Sequence, residues 1–200
     1  TLMNQAYVEM RNLFNQPLQL RIGAQNLLFG GGWLLSNMMT PSQYISFDAI
    51  RATYSPGDFT IDAFAAKLND SDRVFKESVN LYGIYGTYNG IPEATMSLYW
   101  LYLRDDTDIP RPERTGWGRW VNNKRGLQYG STNLHTLGYK LSGGTGNLDY
   151  NLDLAYQWGD AEHLGSLFKP VGRAFGDTNA KYDNYAVDAT LGYTFKEVSW

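Results

Sequence analysis

The sequence has no cysteine among its 200 residues, which excludes disulfides, thiolate metal centres and cysteine catalysis. Histidine is nearly as scarce: His135 and His163 are the only two, and there is no HExxH, GxSxG or phosphate-loop motif. An enzyme has little here to be built from. Long apolar runs are missing too. The longest, Leu98 to Leu103 (LYWLYL), falls far short of the ~20 residues a membrane helix needs. Sustained 3.6-residue periodicity is absent. Charge is sparse at 18%, with a net charge of −3 and a pI near 5.3, so nucleic acid is not an expected partner.

What remains is rich in aromatics (15%, with 15 Tyr) and glycine (21 residues), a bias towards strands and tight turns. Period-2 segments recur throughout. The pattern predicts strands near 4–14, 18–28, 45–54, 59–68, 79–88, 94–104, 133–142, 148–158 and 184–195. In NLDYNLDLAYQWG (147–159), Leu148, Tyr150, Leu152, Leu154, Tyr156 and Trp158 share one parity, and Asp149, Asn151, Asp153 and Gln157 the other. The last segment repeats this, with Val187 and Leu191 against Asp188 and Thr190. The facing of 79–88 is ambiguous by pattern alone.

The connections decide which face meets water. Short turns at Asn15–Pro17, Ser55–Asp58, Asn89–Glu93 and Gly143–Asn147 alternate with longer links at 29–44, 69–78, 105–132 and 159–183. Such alternation is required of a transmembrane barrel, with short turns on one side and long loops on the other; a sandwich mixes loop lengths at both ends. Strands of about 9–11 residues also match a tilted crossing. The fold expected is therefore all-β: a transmembrane antiparallel up-and-down β-barrel, with the greasy parity against the lipid bilayer and the polar parity lining an aqueous lumen. The chain opens inside a strand-like run (TLMNQAYVEM), shows no signal peptide and stops at KEVSW. Residues 1–200 thus read as a single barrel-domain segment, incomplete at both ends.

Several stretches resemble the alginate export family of bacterial outer-membrane proteins. LRIGAQNLLFGGGWL (20–34) followed by FDAIRATYSPGDFTIDAFAAKL (47–68) is similar to that family's strand–loop–strand–turn–strand core. TLGYKLSGG (136–144), LDYNLDLAYQWG (148–159) and ATLGYTF (189–195) are similar to its later strands. The resemblance implies a porin-sized barrel of roughly 16–18 strands in the outer membrane of a Gram-negative bacterium. About nine strands lie here, or half of such a wall. The resemblance also implies a transport function: a channel or exporter for hydrophilic solutes, with an anionic polysaccharide suggested by the family's name. No cofactor or metal is implied, and protein partners are not specified.

Taken as lumen-facing, the polar parity brings Glu9, Arg11, Arg21, Arg51, Asp62, Lys140, Asp149, Asp153 and Asp188 to one side. Pairing about the short turns predicts Arg11 opposite Arg21, Arg51 opposite Asp62 and Lys140 opposite Asp149. Two readings stay open. The arginines form an anion-selecting patch whose guanidinium forks suit carboxylates, or the charges form a salt-bridge lattice that stiffens the wall. Tyr7, Phe64 and Tyr99, on the same parity, are either a stacking track for sugar rings or packing beneath an infolded loop. His135 near Ser131, and Asp105, Asp106 and Asp108, are read as a solvated rim residue and a hydrated acidic loop. The glycine run Gly30–Gly32 enters a loop, not a helix, which argues against phosphate cradling. The alternatives to a channel are a barrel with enzymatic or adhesive long loops, and a soluble glycan-binding β-sandwich.

Overall fold

The computed structural model describes residues 5–33, 35, 38–40, 43–44, 46–68, 79–105, 131–161 and 180–195. Nine strands form one antiparallel sheet in the order β1-β2-β5-β6-β7-β8-β9-β10-β11, each next to its neighbour in the chain. They are β1 (Ala6–Met10), β2 (Leu18–Gln25), β5 (Phe47–Tyr54), β6 (Phe59–Lys67), β7 (Val79–Ile91), β8 (Ala94–Asp105), β9 (Thr132–Thr145), β10 (Leu148–Ala161) and β11 (Ala180–Tyr193). A separate two-strand ribbon, β3 (Met38–Thr40) with β4 (Gln43–Tyr44), lies in the link between β2 and β5; the pattern of the sequence did not announce it. All nine predicted strands are present, and this is an up-and-down all-β sheet. The expected loops at 69–78, 105–132 and 159–183 lie for the most part outside the described residues.

The short turns follow local chemistry. Thr145 pairs with Leu148, so only Gly146 and Asn147 connect β9 to β10. Gly146 has φ +62°, a conformation that glycine adopts without steric cost and that suits a two-residue hairpin. The Asn147 side chain donates to the Thr194 carbonyl at 2.7 Å, tying this turn to the end of β11. Between β7 and β8 only Pro92 and Glu93 intervene.

The two faces of the sheet differ. Call inner the face that carries Ala49, Asp62, Phe64, Ala66, Leu81, Tyr85, Ser97, Tyr99, Thr136, Asp153 and Ala155, all buried. The outer face exposes Ile22, Ile50, Ile61, Ile84, Leu98, Leu137, Leu154, Tyr156, Val187 and Leu191, and no second large sheet covers it among the described residues. The strand at 79–88 is now oriented: Leu81, Gly83 and Tyr85 point in, Tyr82 and Ile84 out.

Towards the ends that carry the long links, the apolar outer face stops at a polar row. Asp48, Lys67, Asn80, Arg104, Asn133, Asp160 and Lys181 stand in direct register across β5 to β11. The row beside it is aromatic over four strands. Tyr82 stacks on Tyr102 (5.8 Å between centroids), Tyr102 on His135 (4.5 Å) and His135 on Trp158 (5.3 Å). Rings next to charges, at the edge of an apolar band, are the arrangement of an interfacial girdle.

The core lies on the inner face, where Leu27, Phe47, Ala49, Phe64, Ala66 and Leu81 cluster with Phe29, Leu35, Leu68, Leu101 and Leu103 against them. Large rings fit there because glycines stand opposite them: Tyr7 faces Gly23, Phe64 faces Gly83 and Tyr99 faces Gly138; on the outer face Tyr150 faces Gly143 in the same way. A Cβ at Gly138 would fall within the Tyr99 ring, and one at Gly83 within the Phe64 ring. This is the cross-strand arrangement in which an aromatic covers an otherwise bare glycine. Because Tyr99 is also held by stacking on Tyr85 at 5.3 Å, its ring has no easy retreat. Gly138→Ala is therefore expected to destabilise the sheet by about 1–3 kcal/mol, and Tyr99→Leu in that background to recover part of the loss. The full-length protein's urea unfolding curve in lipid vesicles measures both.

Candidate functional site

The inner face of the strands carries the charges singled out from the sequence, and each strand cation on it is paired. Glu9 stands directly opposite Arg21 and accepts from its Nη2 at 2.5 Å and its Nε at 2.9 Å. Arg11 lies beyond the end of β1, largely exposed, and also donates to Glu9. The expected Arg11–Arg21 pairing is corrected: β1 ends at Met10, and residues 11–17 form a longer turn with left-handed Asn12, Phe14 and Asn15. The like-charge neighbours are instead Arg21 and Arg51, directly opposite on β2 and β5. Such a pair costs up to about 1 kcal/mol, offset here by one carboxylate on each flank.

The flanking acid on Arg51 is Asp62, as expected, but it is reached diagonally. In register Arg51 faces Phe64 and Asp62 faces Thr53, while Arg51 Nε donates to Asp62 Oδ1 at 2.8 Å and the Thr53 hydroxyl to the same oxygen. Lys140 does not face Asp149. The turn after β9 is only two residues, so Lys140 comes opposite Asp153 and Asp149 opposite Gly144. Lys140 Nζ lies 2.5 Å from Asp153 Oδ2 and 2.6 Å from Asn151 Oδ1, and Asn151 Nδ2 donates to Asp153 at 3.0 Å. Asp153 is 2% exposed; a carboxylate so buried persists in charged form only when bonded. Asp188, on β11, stands on the far side of Asp153.

The aromatic residues divide. Phe64 and Tyr99 are buried beneath the segment that follows β2. Phe29 stacks on Phe64 at 5.1 Å and on Tyr85 at 5.0 Å, the Arg51 guanidinium lies 4.9 Å from the Phe29 ring, and Phe29 bridges to Leu35. Gly30, at φ +59°, passes close over the Tyr85 hydroxyl. Gln25 is wholly buried at the foot of this segment, its Nε2 donating to the Ala49 carbonyl at 2.9 Å. Tyr7 stays open, with the Arg21 guanidinium 4.3 Å from its ring. Phe29 could not be placed inward from sequence, although GGG immediately after it offered a signal: a chain that must turn sharply against a wall needs such residues.

His135 is on the outer face, within the aromatic row, and the Ser131 hydroxyl receives its bond from Asn133 rather than from His135. His163, Asp106 and Asp108 are outside the described residues.

The nine strands form a single antiparallel layer with ion pairs and hydroxyls on one face and an exposed apolar surface on the other, an arrangement consistent with part of a β-barrel wall. The profile of the family described as Alginate export matches residues 1–200, and the chain belongs to that family, an outer-membrane β-barrel family of transport proteins. A search of curated proteins found no match.

The Lys140–Asp153 pair is more buried than the Arg21–Glu9 and Arg51–Asp62 pairs and is the most testable of the three. Lys140→Met strands the carboxylate and is expected to cost about 3–5 kcal/mol. Asp153→Asn in the same background should return most of it. A double-mutant cycle on the unfolding free energy in vesicles reads the coupling directly.

Proposed function

We propose that this chain forms part of the wall of an outer-membrane channel that passes hydrophilic solutes, as an exporter of polysaccharide or a pore for smaller polyols. The observation that carries the reading is the division of the sheet into two faces. Leu98, Leu137, Leu154, Val187 and Leu191 stand exposed on one side, while the other holds the ion pairs, hydroxyls and amides beside the core packed around Phe29 and Phe64. A contiguous exposed apolar face needs a cover, and lipid is the cover that leaves the polar face to water. The alternation of short turns and long links supports the same orientation, with the short turns at 55–58, 92–93 and 146–147 on the periplasmic side.

β1 and β11 are the edges of the described sheet. An unpaired strand edge does not persist in hydrocarbon, so the wall closes on further strands, to roughly 16–18 if it is porin-sized. Within it, the Phe29 segment lies across β6 and β7 and narrows the bore. A sandwich would require a second sheet against the outer face; a loop-borne activity would reside outside the described residues.

The test is conduction. Full-length protein reconstituted in planar bilayers should show discrete single-channel steps. Phe29→Ala, which removes the ring that anchors the segment to Phe64 and Tyr85, should raise the step size. A parent protein that inserts yet conducts nothing would refute the channel.

A further inference from the structure

The pairing of the inner charges bears on what the wall favours. The guanidinium of Arg21 is engaged by Glu9, that of Arg51 by Asp62, and the ammonium of Lys140 by Asp153 and Asn151. A passing carboxylate meets cations whose charge is already offset by a bonded acid. The acids are not all so occupied. Asp149 is exposed within the sheet, Asp188 is exposed on the edge strand β11, and neither has a cation partner among the described residues. On β9 to β11, then, the inner charges are one cation, Lys140, against three carboxylates: Asp149, Asp153 and Asp188. On the loop end of β8, Asp105 lies on the same parity.

The uncharged part of this surface is ordered. Thr95, Ser142, Asn151 and Thr190 stand in direct register across β8, β9, β10 and β11. Thr136, Gln157 and Asn184 form a second row across β9, β10 and β11, with Gln157 Nε2 donating to Thr136 Oγ1 at 3.0 Å. Thr60, Thr87 and Ser97 continue the chemistry on β6, β7 and β8. Each group is donor and acceptor at once, and the strands repeat them at about 4.8 Å. A surface of that kind exchanges hydrogen bonds with sugar hydroxyls at little cost, because it replaces water by like groups.

We infer that this wall favours uncharged, hydroxyl-rich solutes over polyanions, with Asp149 and Asp188 as the specificity-determining carboxylates that disfavour uronate-type chains. The inference rests on the channel reading and sets its substrate class. Both acids are exposed, so their amides should fold as the parent does.

The experiment compares efflux of two radiolabelled probes from vesicles holding the full-length protein: an uncharged trisaccharide and a trigalacturonate of the same length, at low salt. The parent should release the uncharged sugar faster. Asp149→Asn with Asp188→Asn should raise trigalacturonate efflux several-fold and leave the uncharged rate unchanged. At 1 M salt, where the screening length falls to about 3 Å, the difference between parent and variant should largely vanish. Faster trigalacturonate efflux from the parent, or a ratio unmoved by the double substitution, overturns the inference while leaving the channel standing. Retention of both probes overturns the channel reading itself.

Discussion

In hydrocarbon, a backbone N–H or C=O without a partner costs several kcal/mol, and the rest of this structure follows from meeting that demand with strands. Each inner strand must pair on both sides along its length. The sheet meets the demand in the simplest order available, every strand beside its chain neighbour. That order alone forces long and short connections to opposite ends, and it forces each residue onto one face or the other. Leu154 and Asp153 are adjacent in the chain and end in opposite environments, one bare on the apolar side and one almost fully buried among polar partners.

The polar face then has its own problem, since charges and large rings must share a crowded surface. Charge is handled by pairing across strands, so that Arg21 and Arg51 sit side by side between Glu9 and Asp62. Bulk is handled by glycine. Rings at Phe64 and Tyr99 lie over Gly83 and Gly138, and this lets Phe29 and Tyr85 add to the stack without opening a gap in the wall. The infolded segment is therefore part of the same packing as the strands beneath it, and its position is set by ring contacts more than by its own backbone.

Strand positions and facing were legible in the sequence because a period of two is imposed by the backbone itself. Leu152 and Asp153, or Val187 and Asp188, show it without ambiguity. Strand 79–88 was harder, since Gly83 and Gly86 are neutral in polarity and Tyr82 and Tyr85 suit either face. Pair identities were less legible. The Arg11–Arg21 and Lys140–Asp149 pairings failed because each depends on the exact residue at which a turn begins, and a slip in the turn moves the cross-strand partner by an even number of residues on the same face, two for Arg21 and four for Lys140. Arg51 with Asp62 survived as an ion pair because a long side chain reaches diagonally. The stacking track and the infolded packing could not be separated by pattern, as both place Phe64 and Tyr99 inward; Phe29 packs on Phe64, whereas Tyr7 stays open.

The central claim is that one face of this sheet meets lipid and the other water. The absence of cysteine from these 200 residues makes it directly measurable. Single cysteines placed in turn at 149 through 158 of the full-length protein, spin-labelled and reconstituted in vesicles, report collision with oxygen in lipid and with a water-soluble nickel chelate. The account predicts oxygen dominant at 150, 152, 154, 156 and 158 and nickel at 149, 151 and 157, with the buried positions 153 and 155 shielded from both. Uniform protection of the Leu152–Leu154–Tyr156 side from both reagents would mean protein covers it, and would contradict the claim.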